Sequence, residues 1–156
     1  MLSSKMDNLL VNLAKIERGI SRIYEYLSKQ EAFTPPVRRF WKAIMEEEEV
    51  HEKIFKDIRE RARADDSFEI EIGTDLDELK AFVEKLNVLL LDIKKSNVSE
   101  SEAYSFGATI EAEIDEANFL KRVKTKDPEM SKMLNRIDSG TQKHRVMMVN
   151  YLRGIS

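Results

Sequence analysis

No cysteine occurs in the 156 residues, and that absence removes disulfide stapling, thiolate metal sites and iron-sulfur centres together. Glycine and proline are scarce, 5 and 3 in number, too few for the turns of a sheet protein. Neither charge is in strong excess. A formal net charge of -3 gives no basic footprint for nucleic acid and no acidic tail. No run approaches the ~18 apolar residues of a membrane span. The opening "MLSSKMDNLLVNL" interleaves polar and apolar residues, unlike a signal peptide. These absences lead us to expect a cytoplasmic protein with no nucleic-acid or membrane partner. What is present, 42% hydrophobic and 35% charged residues, is the composition of a helix-rich protein, and the length fits one domain over residues 1–156.

Apolar residues recur at steps of three and four along nearly the whole chain, the spacing of amphipathic helices. The first seam is Met6, Leu10, Leu13, Glu17, Ile20, Tyr24 and Leu27. After "FTPPV", where Thr34 is a candidate cap and Pro35 or Pro36 suits a first helical turn, a second seam runs Val37, Trp41, Ile44, Glu48, His51, Phe55, Ile58 and Ala62. The segment "RADDSFEIEIGT" then lapses into alternation and predicts a turn or a short extended piece. A third seam, Leu76, Leu79, Val83, Leu86, Leu90 and Ile93, has no polar interruption. Ser99 and Glu102 stand in capping-box spacing for a fourth helix, expected to reach about Arg122, with the charges of "KRVKTKD" as its solvated end. Asp127 and Pro128 announce a last helix with the seam Met130, Leu134, Ile137, Thr141, His144, Met148 and Tyr151, ended by Gly154. The expected fold is all-α: a four-helix bundle of two helical hairpins joined by a long crossover that carries an extra helix.

Three of these seams carry ionisable residues where apolar ones are due. In "MEEEEVHEKIF" only Glu48 of the four glutamates lies in the stripe, and His51, one turn on, shares its face. A carboxylate and an imidazole pointing inward need partners, either each other or a cation. Glu17 interrupts the first helix in the same way, and His144, the only other histidine, interrupts the last. The halves also echo each other. "KIERGI" around Glu17 matches "TIEAEI" around Glu111, and His51 and His144 each follow three residues after Glu48 and Thr141. Trp41, Phe55, Met147 and Met148 are expected to be core.

Glu17 in "IERGISRIY", Glu48 and His51 in "EEEVH", Glu111 in "IEAEIDEANF" and His144 in "TQKH" together resemble the ferritin-like superfamily and, within it, the short rubrerythrin-like proteins. Those bundles place a Glu on two helices and Glu-x-x-His on the other two. The resemblance covers residues 6 to 152, and Tyr24 stands where the family commonly has an aromatic. It implies a ferritin-like bundle holding iron, one or two ions per chain, with Glu48 bridging, Glu17 and Glu111 as terminal ligands and His51 and His144 each on one metal. It further implies a redox role as a peroxidase or ferroxidase, with peroxide, oxygen or ferrous iron as small substrates and a homodimer as the assembly. Many rubrerythrins carry a Cys-rich electron-transfer domain that this chain lacks, so turnover calls for a separate electron donor.

The chain departs from that pattern at Thr141, which stands where the last helix should carry a ligand Glu. Threonine is a poor ligand and cannot bridge. Asp115, Asp138 or an external anion is a candidate replacement, and another divalent metal, or none, is an alternative to iron. On the fourth helix, repeat spacing favours Glu111 whereas the local stripe of Ala103, Phe106, Ile110, Ala117 and Leu120 is interrupted by Glu113, the reserve ligand. The rival reading is a bundle that has lost its metal and serves as a binding or assembly module. In that reading Glu17 and Glu48 hydrogen-bond to Tyr24, Tyr104 or the histidines, and the Leu76 to Ile93 stripe is the contact surface.

Overall fold

Five helices form where the apolar spacing places them, in a computed structural model that describes residues 2–119 and 121–155. They are α1 (Ser4–Ser28), α2 (Pro35–Ala64), α3 (Leu76–Lys95), α4 (Glu100–Ala117) and α5 (Pro128–Ile155), with two short strands, β1 (Ile70–Ile72) and β2 (Val123–Thr125). Leu120 of the expected α4 stripe lies outside the described residues. Helix α1 pairs with α2 and α4 with α5, two hairpins, while the crossover helix α3 lies along α1.

Local chemistry sets most boundaries. Ser3 accepts from the Met6 amide and Asp75 from the Asp77 amide. Ser99 and Glu102 close a reciprocal capping box, and Asp127 Oδ1 accepts from the Met130 amide at 3.0 Å. Thr34 occupies the cap position of α2 without a side-chain cap bond, and Pro36 in the second helical position removes one of the two amides that a cap would serve. Two expectations fail at helix ends. Helix α4 stops at Ala117, five residues short of Arg122, because Asn118 turns left-handed with φ of 56°. The chain then enters β2, which pairs antiparallel with β1, Ile72 opposite Val123. "KRVKTKD" is therefore a turn and a strand rather than a helix end. Gly154 does not end α5, which continues to Ile155.

The core runs along the bundle, and at one end it includes a column of rings. Tyr24 packs on Trp41 at 5.1 Å between centroids, Trp41 on Tyr104 at 5.3 Å, and Tyr104 on Tyr151 at 5.0 Å. Each large apolar side chain taken from water there stabilises the fold by about 1.5–3 kcal/mol. Phe55 and Met148 are also fully enclosed. Gly107 makes this packing possible: a Cβ there would lie 2.7 Å from Met148 Sδ and 2.8 Å from Trp41 Cη2. Helix α3 buries only Leu79, Leu86 and Ile93, and Val88 and Leu91 face solvent.

At the far end, Asp7 on α1 accepts paired hydrogen bonds from Arg59 (2.7 Å each) and from Arg63 (3.0 and 3.1 Å) on α2. The Arg59 bonds, with help from Arg63 and against burial, lower its carboxyl to about 2. A carboxyl depressed below its unfolded value near ~3.9 stabilises the fold above that pH, and the contribution is lost as pH falls toward 2. Asp7→Asn is expected to cost about 1 kcal/mol at pH 7, a modest figure because the site is partly exposed and screened. Urea titration at pH 7 and at pH 2 measures it, and the two proteins should converge at the lower pH.

Candidate metal centre

Each helix of the two hairpins delivers one or two polar side chains to the bundle centre. Helix α1 brings Glu17, α2 brings Glu48 and His51, α4 brings Glu111 and α5 brings His144, and all five are buried. They form two groups that share Glu48: Glu17, Glu48 and His51, and Glu48, Glu111 and His144. Within each group the ligand atoms lie within 4.8 Å of one another.

Glu48 is split between the two halves. Its Oε2 is 3.1 Å from His51 Nδ1 and its Oε1 is 2.8 Å from His144 Nδ1. Glu17 Oε2 stands 3.8 Å from His51 Nδ1, and Glu111 Oε1 stands 3.4 Å from His144 Nδ1. The imidazole rings lie 6.0 Å apart and nearly parallel, 24° between planes. One carboxylate with an oxygen in each half is the geometry of a bridging ligand.

Two of these atoms test whether the set fits a cation. Glu48 Oε1 and His144 Nδ1 are both buried and both lack an aligned hydrogen bond, although only 2.8 Å separates them. On the other side of the ring, His144 Nε2 meets Glu47 Oε2 at 2.6 Å. A proton on Nε2, donated to Glu47, leaves the Nδ1 lone pair of the neutral ring facing Glu48 and Glu111. Acceptors converging in a buried space need a cation or a proton between them. The carboxylate and imidazole donors suit borderline divalent ions such as ferrous iron, manganese or zinc.

Protonation equilibria follow the same crowding. Burial and the charge of Glu48 raise the Glu17 carboxyl well above its usual value. They raise Glu111 likewise, to about 7. Burial also opposes the charge of Glu48, but its interactions with His144, His51 and Glu17 prevail and hold it below the usual range. Burial works against a charged ring at His51 and His144, yet the carboxylates outweigh it and raise them to about 10 and about 11. Without a metal, protons on the two rings supply the positive charge that the carboxylates demand.

The structure separates the alternatives left open by the sequence. Glu111 is in the centre, hydrogen-bonded by the Tyr24 hydroxyl at 2.8 Å. Glu113 turns outward and pairs with Lys85 on α3 at 2.7 Å. Asp115 lies between Lys121 and Arg145, 3.7 Å from each, and Asp138 lines a crevice beside Thr141. Among the described residues none of these three reserves joins either group, since cationic side chains hold two of them toward the surface. Thr141 is buried, and its hydroxyl donates to the Ile137 carbonyl at 3.2 Å within its own helix. Of the partners expected for Glu17 and Glu48 without a metal, His51 meets Glu48 at 3.1 Å, whereas Tyr24 donates to Glu111 and the Tyr104 hydroxyl has no partner among the described residues.

Sequence reasoning missed Glu47 and Gly140. Glu47 lies off the α2 stripe and reaches His144 only because α5 packs beside it. Gly140 lies one turn before His144, and a Cβ there would be 2.8 Å from His51 Cε1, so the His51 ring needs a residue without a side chain opposite it. Glycine at mid-helix in α5 was the available signal, since glycine in a helix interior costs about 1 kcal/mol relative to alanine.

Fold and site together define a helical bundle whose buried Glu/His clusters can hold metal ions. Comparison of the chain with protein-family models, with curated proteins and with solved structures returned no match. No helix among the described residues is long and apolar enough to cross a membrane.

Proposed function

We propose that the chain is a rubrerythrin-like, ferritin-fold protein that binds non-haem iron and uses it to reduce peroxide or oxygen or to oxidise ferrous iron. The observation that carries this reading is Glu48, buried, with one oxygen in each of two Glu/His groups and no aligned partner for Oε1. Iron bound there would supply the electrons for reduction of an oxygen species. Glu48 would bridge, Glu17 and His51 would complete one half, and Glu111 and His144 the other. Glu47 fixes the His144 tautomer, and the Tyr24 hydroxyl positions Glu111 by its 2.8 Å hydrogen bond. The ring column beyond Tyr24 closes that side of the site to water. We further propose a cytoplasmic homodimer served by a separate electron donor, in keeping with the absence of cysteine and with the resemblance.

The second reading, a bundle that has lost its metal and serves as a binding module, is favoured by Thr141 and by Val88 and Leu91 exposed on α3. Anaerobic titration with ferrous iron, followed by elemental analysis per chain, separates the two. One or two tightly held irons per chain is the expected result. No iron retained at excess, with the helical signal intact, would leave only the second reading.

A further inference from the structure

The place where α5 lacks its carboxylate is also where the surface opens. A groove of about 360 Å³ between α4 and α5 is lined by Glu111, Thr141, Gln142, Arg145, Val146 and Val149, among others. Glu111 and Thr141 are buried and form its base. Building on the metal reading above, we propose that this groove admits a small organic monocarboxylate whose head group completes the Glu111 and His144 half of the centre.

Four observations converge on that ligand. The half reached by the groove contains the two atoms without aligned partners, Glu48 Oε1 and His144 Nδ1. Thr141 supplies no anionic donor, since its hydroxyl is neutral and directs its proton to the Ile137 carbonyl. Three carboxylates around two divalent ions leave one positive charge uncompensated, which a monoanion neutralises. The walls suit an amphiphile: Arg145 is held only loosely, 3.7 Å from Asp115, and can turn to an entering carboxylate. Gln142 adds amide donors, while Val146, 58% exposed, and Val149 offer contact to a short hydrocarbon chain. Inorganic oxyanions share the head-group chemistry and lack the tail.

Cobalt(II) titrations at constant ionic strength in chloride, sulfate, acetate and hexanoate test this, read by calorimetry and by the visible absorption of the bound ion. The second cobalt ion is expected to bind at least tenfold tighter in hexanoate than in chloride, with a changed spectrum and no gain in sulfate. Thr141→Glu should abolish the carboxylate dependence by supplying the donor itself. Should that variant not fold, Val149→Trp, which fills the groove, should abolish the gain instead. Equal binding in all four media, or an equal gain in sulfate, overturns the carboxylate site and leaves the metal reading standing. No cobalt bound in any medium by a folded chain overturns both.

Discussion

Replacing Glu48 by alanine is expected to empty both halves of the centre at once. Loss of Glu17 or Glu111 should weaken one half only. The asymmetry follows from the split carboxylate: Oε2 faces His51 and Oε1 faces His144, so each half loses an anionic donor in a buried space that has only three. Even residues that merely support ligands cost about 10–100-fold in affinity when removed, and a shared ligand should exceed that for both ions. Equilibrium dialysis against ferrous iron or cobalt, with metal counted per chain, measures it. Leu86→Ala is the matched control, since Leu86 is buried between α3 and α1, against Gly19. That variant should lose about 2–5 kcal/mol of stability yet keep its metal. Wild-type metal content in Glu48→Ala would sink the bridging role.

The same residue separates the metal-binding reading from its rival through stability. A buried carboxylate with no partner would be relieved by an apolar replacement. Glu48 is not in that position, because both imidazoles lean on it. Glu48→Leu in the metal-free chain therefore leaves the His51 ring without its acceptor and the His144 ring without its anionic neighbour, and should destabilise by about 3–5 kcal/mol. A higher melting temperature with unchanged metal content would instead mark the centre as the remnant of a lost site.

The helices were legible because burial of one face writes a period into the sequence, and α1, α2 and α3 begin and end within a few residues of their seams. What no single helix records is its neighbour. Glu111 and Glu113 are two apart on one helix, the first favoured by the repeat spacing and the second by the local stripe. The choice between them is made by Lys85, which draws Glu113 toward α3, and by Tyr24, which meets Glu111 from α1. Glu47, off the apolar stripe, gave no sign of a role for the same reason, since its partner lies 97 positions away on α5. The end of α4 was misread because β2 exists only through its pairing with β1, and three residues of strand are too short to show a period of their own.

Metal affinity is expected to rise steeply with pH, and the sign follows from what occupies the centre beforehand. His51 and His144 titrate at about 10 and about 11 in the metal-free chain, so both are charged at neutral pH. A ring must be neutral at Nδ1 to bind a metal, and Glu17, whose carboxyl is also raised, must ionise. Each ion therefore displaces protons: in the Glu17 and His51 half the ring gives up one at pH 7, roughly a tenfold gain in affinity per pH unit, and Glu17 adds a second wherever it is still protonated. In the other half His144 gives up one proton, and below about pH 7 Glu111 gives up a second. Calorimetry in buffers of differing ionisation enthalpy counts these protons directly. The metal-free chain should respond in the opposite direction. A histidine raised above its unfolded value near ~6.5 contributes stability fully present below that pH and lost as pH climbs through 10 to 11. Its melting temperature should accordingly fall between pH 6 and pH 10, while bound metal offsets that fall. Metal binding without proton release would remove both histidines from the ligand set.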